Sequence, residues 1–416
     1  MKVLNSSEKR VVCANPDSAF RYFAWPTVAY LPDGTLAMTA SGFRLAHICP
    51  FGKAVICYSK DEGATWTRPA PVIDTPLDDR DAGITAFGNG RVILTSFNNT
   101  IRQQRVWNHA PIDGHDWSES PRRRFVEAYL DEIETRGDEE RFLGSTYKIS
   151  EDGGYTFGKL RRAPVTAPHG PCRLNDGSLL YVGRRFSAND EFDGGETPFI
   201  QVCRLNENDE FEVVSSIENI VDEADGLLQS CEPHAIQLPD GRILVHIRVQ
   251  RYGIPEPVFT VYQSESRDGG HTFTRPRRLL ARRGGSPAHL CLHSSGALIS
   301  TYGYREKPYG IRAMLSWDGG NTWDTDYILD ASAQSGDLGY PASVELPGGR
   351  ILTVFYENLG GESVIMQKIW ALPTPLTPRR RGSVAPPHPL KKQTPPFAAR
   401  LYGSFEDRTG DSNDLK

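Results

Sequence analysis

Short apolar or β-branched runs, each too brief for a helix, recur along this chain beside a turn built on Asp-Gly or a relative of it. The runs Thr35 to Thr39, Arg91 to Thr95, Ile243 to Ile247 and Ile351 to Phe355 follow the turn glycines Gly34, Gly90, Gly241 and Gly349. Gly177 and Gly296 mark two further turns of the same kind. Each unit reads as a hairpin, in which glycine supplies the positive φ of a tight reversal. Six hairpins with room for about four strands each predict an all-β chain folded as a six-bladed β-propeller.

One interval, the 87 residues from Gly90 to Gly177, is too long for a blade alone. Within it Val126, Tyr129, Leu130 and Ile133 fall at helical spacing behind Ser120, a good N-cap, and Pro121 at the first helical position. An amphipathic helix is expected there, in an insertion of blade two covering about residues 118–144. Its Arg122-Arg123-Arg124 run reads as a solvated face. Arg10 to Ala14 is expected to give blade six its outer strand and so close the ring. The propeller should span residues 1–372. Residues 373–416, rich in Pro, Arg, Lys and Gly with few core-forming side chains, predict a disordered C-terminal tail.

A second pattern, Ser-x-Asp-x-Gly-x-Thr-aromatic, occurs four times: Ser59 to Trp66, Ser150 to Phe157, Ser266 to Phe273 and Ser316 to Trp323. Each reads as a turn in which Asp accepts backbone N–H groups, Gly takes a positive φ and the aromatic tucks underneath. The chain resembles the sialidase (neuraminidase) superfamily, whose Asp-box (BNR) propellers carry this turn on their outer hairpins. The turn marks a fold and not an activity.

Bulk composition narrows the function classes. A net charge of −5 leaves no nucleic-acid footprint, and no apolar window is long enough to span a membrane. The first ten residues lack the apolar core of a secretory signal. Seven scattered cysteines without paired spacing suggest reduced thiols and a cytoplasmic location. No metal-ligand spacing is present, so neither metal nor cofactor is expected. The sequence leaves the oligomeric state open.

In a propeller the innermost strand of each blade runs along the central axis, so equivalent positions ring one mouth. Nine residues before each turn glycine stand Trp25, Asp81, Pro168, Glu232, Pro287 and Tyr340. Seven residues after two of the glycines stand Arg184 and Arg248. Carboxylates, a phenol and arginines on one rim suit an anionic sugar.

The resemblance to sialidases implies roles for these residues. Tyr340 matches the tyrosine nucleophile, Glu232 its glutamate partner, and Arg248 and Arg312 two arginines of the carboxylate grip, with Arg305 a second choice for the latter. Glu357 matches the acid that steadies an arginine. The first blade departs from the family, because Ala24-Trp25-Pro26 stands where an Arg-Ile-Pro motif is usual. The missing arginine would be replaced by Arg44 or Arg80, and the proton donor would be Asp81, favoured by register, or His47, favoured by loop placement. The implied activity is that of an exo-acting glycoside hydrolase taking a terminal sialic acid or related acidic sugar from a glycoconjugate. The rivals are a propeller enzyme on another glycan, such as a uronic-acid lyase, and a non-catalytic carbohydrate-binding propeller.

Overall fold

A computed structural model of the chain describes residues 2–110, 116–188 and 195–373. The expected tail, beyond its first residue, lies outside the described residues. The apolar runs are strands, among them Leu36–Arg44, Arg91–Phe97, Ile243–Arg251 and Arg350–Asn358. Each hairpin closes as its sequence dictates. Around Gly34, for example, Leu31 N donates to Thr35 O at 2.8 Å and Gly34 N to Leu31 O at 3.0 Å. The turn at Gly241 repeats both bonds.

The strands form a propeller-like arrangement, but the six expected blades do not appear as six hydrogen-bonded sheets. Five hydrogen-bonded sheets are present among the described residues: one of four strands, three of five, and one of eight. The eight-stranded sheet arises because Ser363, on the strand Ser363–Ala371, pairs in parallel with Tyr22 on the strand Tyr22–Tyr30. A late strand of the described fold is thus hydrogen-bonded to an early one. Arg10–Cys13 adds along Ser363–Ala371 in antiparallel fashion, as its sequence suggested. Successive sheets pack side by side through their first strands.

The four repeated turns share one bonding scheme. In the third copy the Asp268 carboxylate accepts from Ser266 Oγ at 2.8 Å, Thr272 N at 2.9 Å and Thr272 Oγ1 at 2.6 Å. Ser266 Oγ in turn accepts from Gly270 N at 2.8 Å. In two copies the aromatic hydrogen-bonds to a distant strand, within the eight-stranded sheet for Trp66 and across to a neighbouring sheet for Trp323. Trp66 Nε1 donates to Gln367 at 2.8 Å and Trp323 Nε1 to Gln263 at 2.7 Å.

The insertion begins earlier than expected. A helix α1, Ile101–His109, precedes α2, Pro121–Thr135, and α3, Asp138–Phe142. α2 buries Val126, Leu130 and Ile133, and Ser120 caps it as its sequence predicts. α1 escapes notice because two of the three side chains it buries, Gln104 and Asn108, are polar and break the apolar periodicity. Its one sequence signal is the capping box of Thr100 and Gln103.

Near the axis the first strands approach so closely that side chains are excluded. A Cβ on Gly83 would stand 2.3 Å from Gly170 N and 2.7 Å from the His169 carbonyl carbon. Beside this contact three imidazoles, the buried His169 and His289 and the half-buried His234, pack with ring centroids 4.2–5.5 Å apart. Burial holds them neutral, with His234 pushed down to about 3. Gly83→Ala is therefore expected to cost about 3 kcal/mol of stability by backbone overpacking. Thermal and denaturant unfolding of the variant check this, and an unchanged midpoint would refute the packing account.

Candidate active site

Four first strands break their ladders at the same place. Register shifts fall between Ala24 and Thr27, Arg80 and Gly83, Cys231 and His234, and Gly339 and Ala342. Within each bulge one non-glycine residue adopts the left-handed region: Trp25 at φ 56°, Asp81 at 49°, Glu232 at 46° and Tyr340 at 49°. These are four of the six positions obtained by counting back nine residues. The other two are Pro168 and Pro287, whose rings hold φ negative. Each left-handed residue costs about 1–3 kcal/mol, and a bulge exists to re-aim a side chain.

Asp81, Glu232 and Tyr340 consequently line one cavity of about 420 Å³, together with Arg80, Arg248 and His47. Tyr340 Oη donates to Glu232 Oε1 at 2.7 Å. Arg248 Nη1 donates to Glu232 Oε2 at 2.5 Å and to Tyr340 Oη at 3.1 Å. Gln250 fixes the guanidinium from behind by accepting from its Nε and Nη2, and itself donates to Gln229 at 2.7 Å. Burial acts to raise the Glu232 carboxyl, but Arg248 and the Tyr340 hydroxyl outweigh it and hold the acid below its usual range. Burial and the adjacent Glu232 charge push the Tyr340 phenol well above its ordinary value. The resting pair is therefore a neutral phenol hydrogen-bonded to a carboxylate.

Asp81 lies in the opposite electrostatic regime. It is only 5 % exposed, and its Oδ1 hydrogen-bonds to nothing among the described residues. Burial and the nearby Glu232 charge raise it to about 7, against the pull of Arg80, Arg44 and Arg248. Arg80 lies with its guanidinium 4.3 Å from the centroid of the Trp25 ring. One cavity thus holds an ionised carboxylate and a second carboxyl that titrates near neutrality.

His47 also reaches the cavity, but its ring is committed. Its Nδ1 lies 2.7 Å from Tyr22 Oη and 3.1 Å from Asp337 Oδ1. Desolvation, aided by Arg80 and Arg44, lowers its pKa despite the opposing pull of Asp337.

Three other expected residues lie elsewhere. Arg44 is fully buried: its guanidinium pairs with Asp78 and donates to Ser41 Oγ and His47 O at 2.9 Å, so it braces the loop and cannot grip substrate. Arg312 is buried with its guanidinium 4.6 Å from the Tyr304 ring centroid and does not line the cavity. Arg305, the second choice, does line it, 5.9 Å from the Tyr340 ring centroid, and donates to Leu338 O at 3.2 Å. Among the described residues Glu357 steadies no arginine; it accepts from Lys9 Nζ at 2.8 Å, away from the cavity.

The acid that organises the site is one the sequence reading missed. Asp337 accepts from Tyr22 Oη at 2.8 and 2.9 Å, Tyr356 Oη at 3.0 Å and Asn358 Nδ2 at 3.0 Å. A signal existed three residues before each left-handed position, where Tyr22, Asp78, Gln229 and Asp337 stand. Asp78 holds Arg44, Gln229 holds Gln250, and Asp337 holds Tyr22, so this polar row supports the one facing the cavity. Arg184 and Arg185 complete the basic lining. Among the described residues, no three His, Cys, Asp or Glu side chains are grouped to hold a metal, the axial histidines included.

No protein-family model matches the chain, and no curated protein does so either. Solved structures do resemble it. A protein of unknown function from Dyadobacter fermentans superposes with a TM-score of 0.66 at 21 % identity, over 90 % of this chain and 100 % of its own. A mutant of the NanB sialidase from Streptococcus pneumoniae gives 0.60 at 13 % identity, over 88 % and 71 %. An alpha-L-arabinanase from Penicillium chrysogenum, complexed with arabinobiose, gives 0.56 at 15 %, over 88 % and 98 %. The likeness shows that the chain has a sialidase-like propeller fold.

The Asp81 environment carries a stability consequence. Its folded pKa lies above that of an unfolded aspartate, so the native state binds the extra proton between about pH 4 and 7. That contribution is fully present below about pH 4 and is lost as pH rises through 7. Asp81→Asn should gain stability over the native chain progressively across that window and hold a constant advantage above it. Unfolding midpoints compared from pH 4 to 8 measure this, and a difference independent of pH would count against a buried, unsatisfied carboxyl.

Proposed function

We propose that this chain is a six-bladed propeller glycoside hydrolase of sialidase type, the eight-stranded sheet counting as two blades. It would release a terminal sialic acid or related acidic sugar. The observation that carries the reading is the 2.7 Å hydrogen bond from the Tyr340 phenol to a Glu232 carboxylate kept ionised by Arg248. An anomeric carbon bearing a carboxylate repels an anionic nucleophile, whereas a neutral phenol can approach it. As Tyr340 Oη bonds to that carbon, its proton passes to Glu232. Asp81, protonated below about pH 7, gives its proton to the departing glycosidic oxygen. Water then attacks with Asp81 as base, the phenol leaves and recovers its proton from Glu232, and configuration is retained. Arg248, Arg305 and Arg80 supply positive charge for the substrate carboxylate.

The resemblance to a sialidase structure supports this reading, and so does the match of Tyr340, Glu232 and Arg248 to the motifs of that superfamily. One observation favours a second reading. Trp25 is buried where a gripping arginine is usual, and Arg44 is committed to Asp78, which weakens the carboxylate grip. A solved arabinanase shares the fold. In that reading Glu232 itself attacks a neutral sugar and Tyr340 only orients it.

Glu232→Gln and Tyr340→Phe should each lower kcat/KM on an aryl sialoside by on the order of 10³-fold. Mass spectrometry after trapping with a fluorinated sugar should find the adduct on Tyr340; an adduct on Glu232 would establish the second reading. Asp81→Asn should slow a natural glycoside about 10²-fold or more and an aryl glycoside far less, whereas His47→Ala should show no such contrast. The rate on the natural glycoside should fall as pH rises through about 7, and that limb should be missing in Asp81→Asn. Glycan binding without turnover of sialosides, arabinosides or uronate polymers would indicate a non-catalytic propeller.

A further inference from the structure

The insertion places a tryptophan at the cavity that the fold itself does not use. Trp107, on α1, is 57 % exposed, yet it lines the same cavity as Glu232 and Tyr340. Gln103, four residues earlier and so on the same helical face, lines it too, as does Asn99 just before the helix.

The helix bearing this indole is held at its start and along the side facing Asp78 and α2. Its start is fixed by the reciprocal bonds of Thr100 and Gln103, at 3.1 and 3.2 Å. Gln104 Nε2 donates to Asp78 Oδ2 at 3.0 Å, which ties α1 to the carboxylate that anchors Arg44. Asn108 Nδ2 donates to Arg123 O at 3.0 Å, and Arg105 bonds Glu127, Asp131 and Glu134 of α2 at 2.6–2.8 Å. A rigid helix therefore presents a large apolar ring, flanked by side-chain amides, to water inside a polar cavity. A flat aromatic face for C–H bonds beside amides for hydroxyls is the chemistry of carbohydrate recognition.

We propose that the face of α1 carrying Gln103 and Trp107 is a subsite for the sugar linked to the one cleaved, so that the natural substrate is an oligosaccharide. This rests on the reading of the cavity as an acidic-sugar site. Continuity with Glu232 and Tyr340 favours a sugar over a partner protein.

The test uses the full chain carrying Tyr340→Phe to prevent turnover, with N-acetylneuraminic acid and sialyllactose as probes in calorimetry. Sialyllactose is expected to bind at least tenfold more tightly than the monosaccharide. Adding Trp107→Ala should erase that difference while leaving the monosaccharide affinity within twofold, and Trp107→Phe should restore part of it. Equal binding of the two probes, or an equal loss for both in Trp107→Ala, would overturn the subsite and leave the acidic-sugar reading standing. Binding of neither probe would overturn the acidic-sugar reading and the subsite with it. A changed sedimentation coefficient in Trp107→Ala, with both affinities intact, would assign the indole to contact between copies and overturn the proposal.

Discussion

The site depends on a conflict between two demands on the same residues. A first strand must continue its hydrogen-bonded ladder to hold its sheet, and it must also turn a side chain out of that sheet toward the mouth. The bulges at Trp25, Asp81, Glu232 and Tyr340 resolve the conflict by giving up ladder bonds and placing one residue in a backbone region that side chains disfavour. Sheet contacts on either side offset the strain. Because the same distortion recurs in three sheets, twice in the eight-stranded one, the four side chains are aimed by backbone geometry and not by flexible stems.

That aiming makes the electrostatics possible. Glu232 and Asp81 are both carboxyls in one cavity, yet only Glu232 has an arginine bonded to it and a phenol donating to it. Asp81 has the negative neighbour without the partner, and its proton becomes hard to remove. Two identical functional groups are thereby pushed in opposite directions, the arrangement that acid–base chemistry at neutral pH requires. Trp25 keeps its place in the row but presents an aromatic face to Arg80 in place of a charge.

Much of this was legible in the sequence, for identifiable reasons. Hairpin glycines and the Ser-x-Asp-x-Gly-x-Thr turns are local chemistry, and their spacing carried the strand register far enough to pick out Asp81, Glu232 and Tyr340. What depends on partners distant in the chain was not legible. Nothing local to Arg44 indicates that Asp78 will neutralise it, and nothing near Glu357 points to Lys9, 348 residues away. Arg312 was preferred over Arg305 by spacing to Tyr340, but only Arg305 lines the cavity. The merging of strands into one eight-stranded sheet rests on one parallel pair, Ser363 with Tyr22, that no motif encodes. α1 was hidden because it docks through Gln104 and Asn108 and not through apolar side chains.

The pairing of an early strand with a late one has a consequence for biosynthesis. Among the described residues, the strand Arg10–Cys13 pairs with Ser363–Ala371, a segment synthesised long after it. While the intervening sheets are translated, that early strand must wait with its backbone groups satisfied by water and those sheets stack on an open arc. Final shutting of the circle is then a late, long-range event of high loop-closure entropy. An arc stalled before that step exposes two raw edges at once, a geometry suited to capture by chaperones or by another nascent copy.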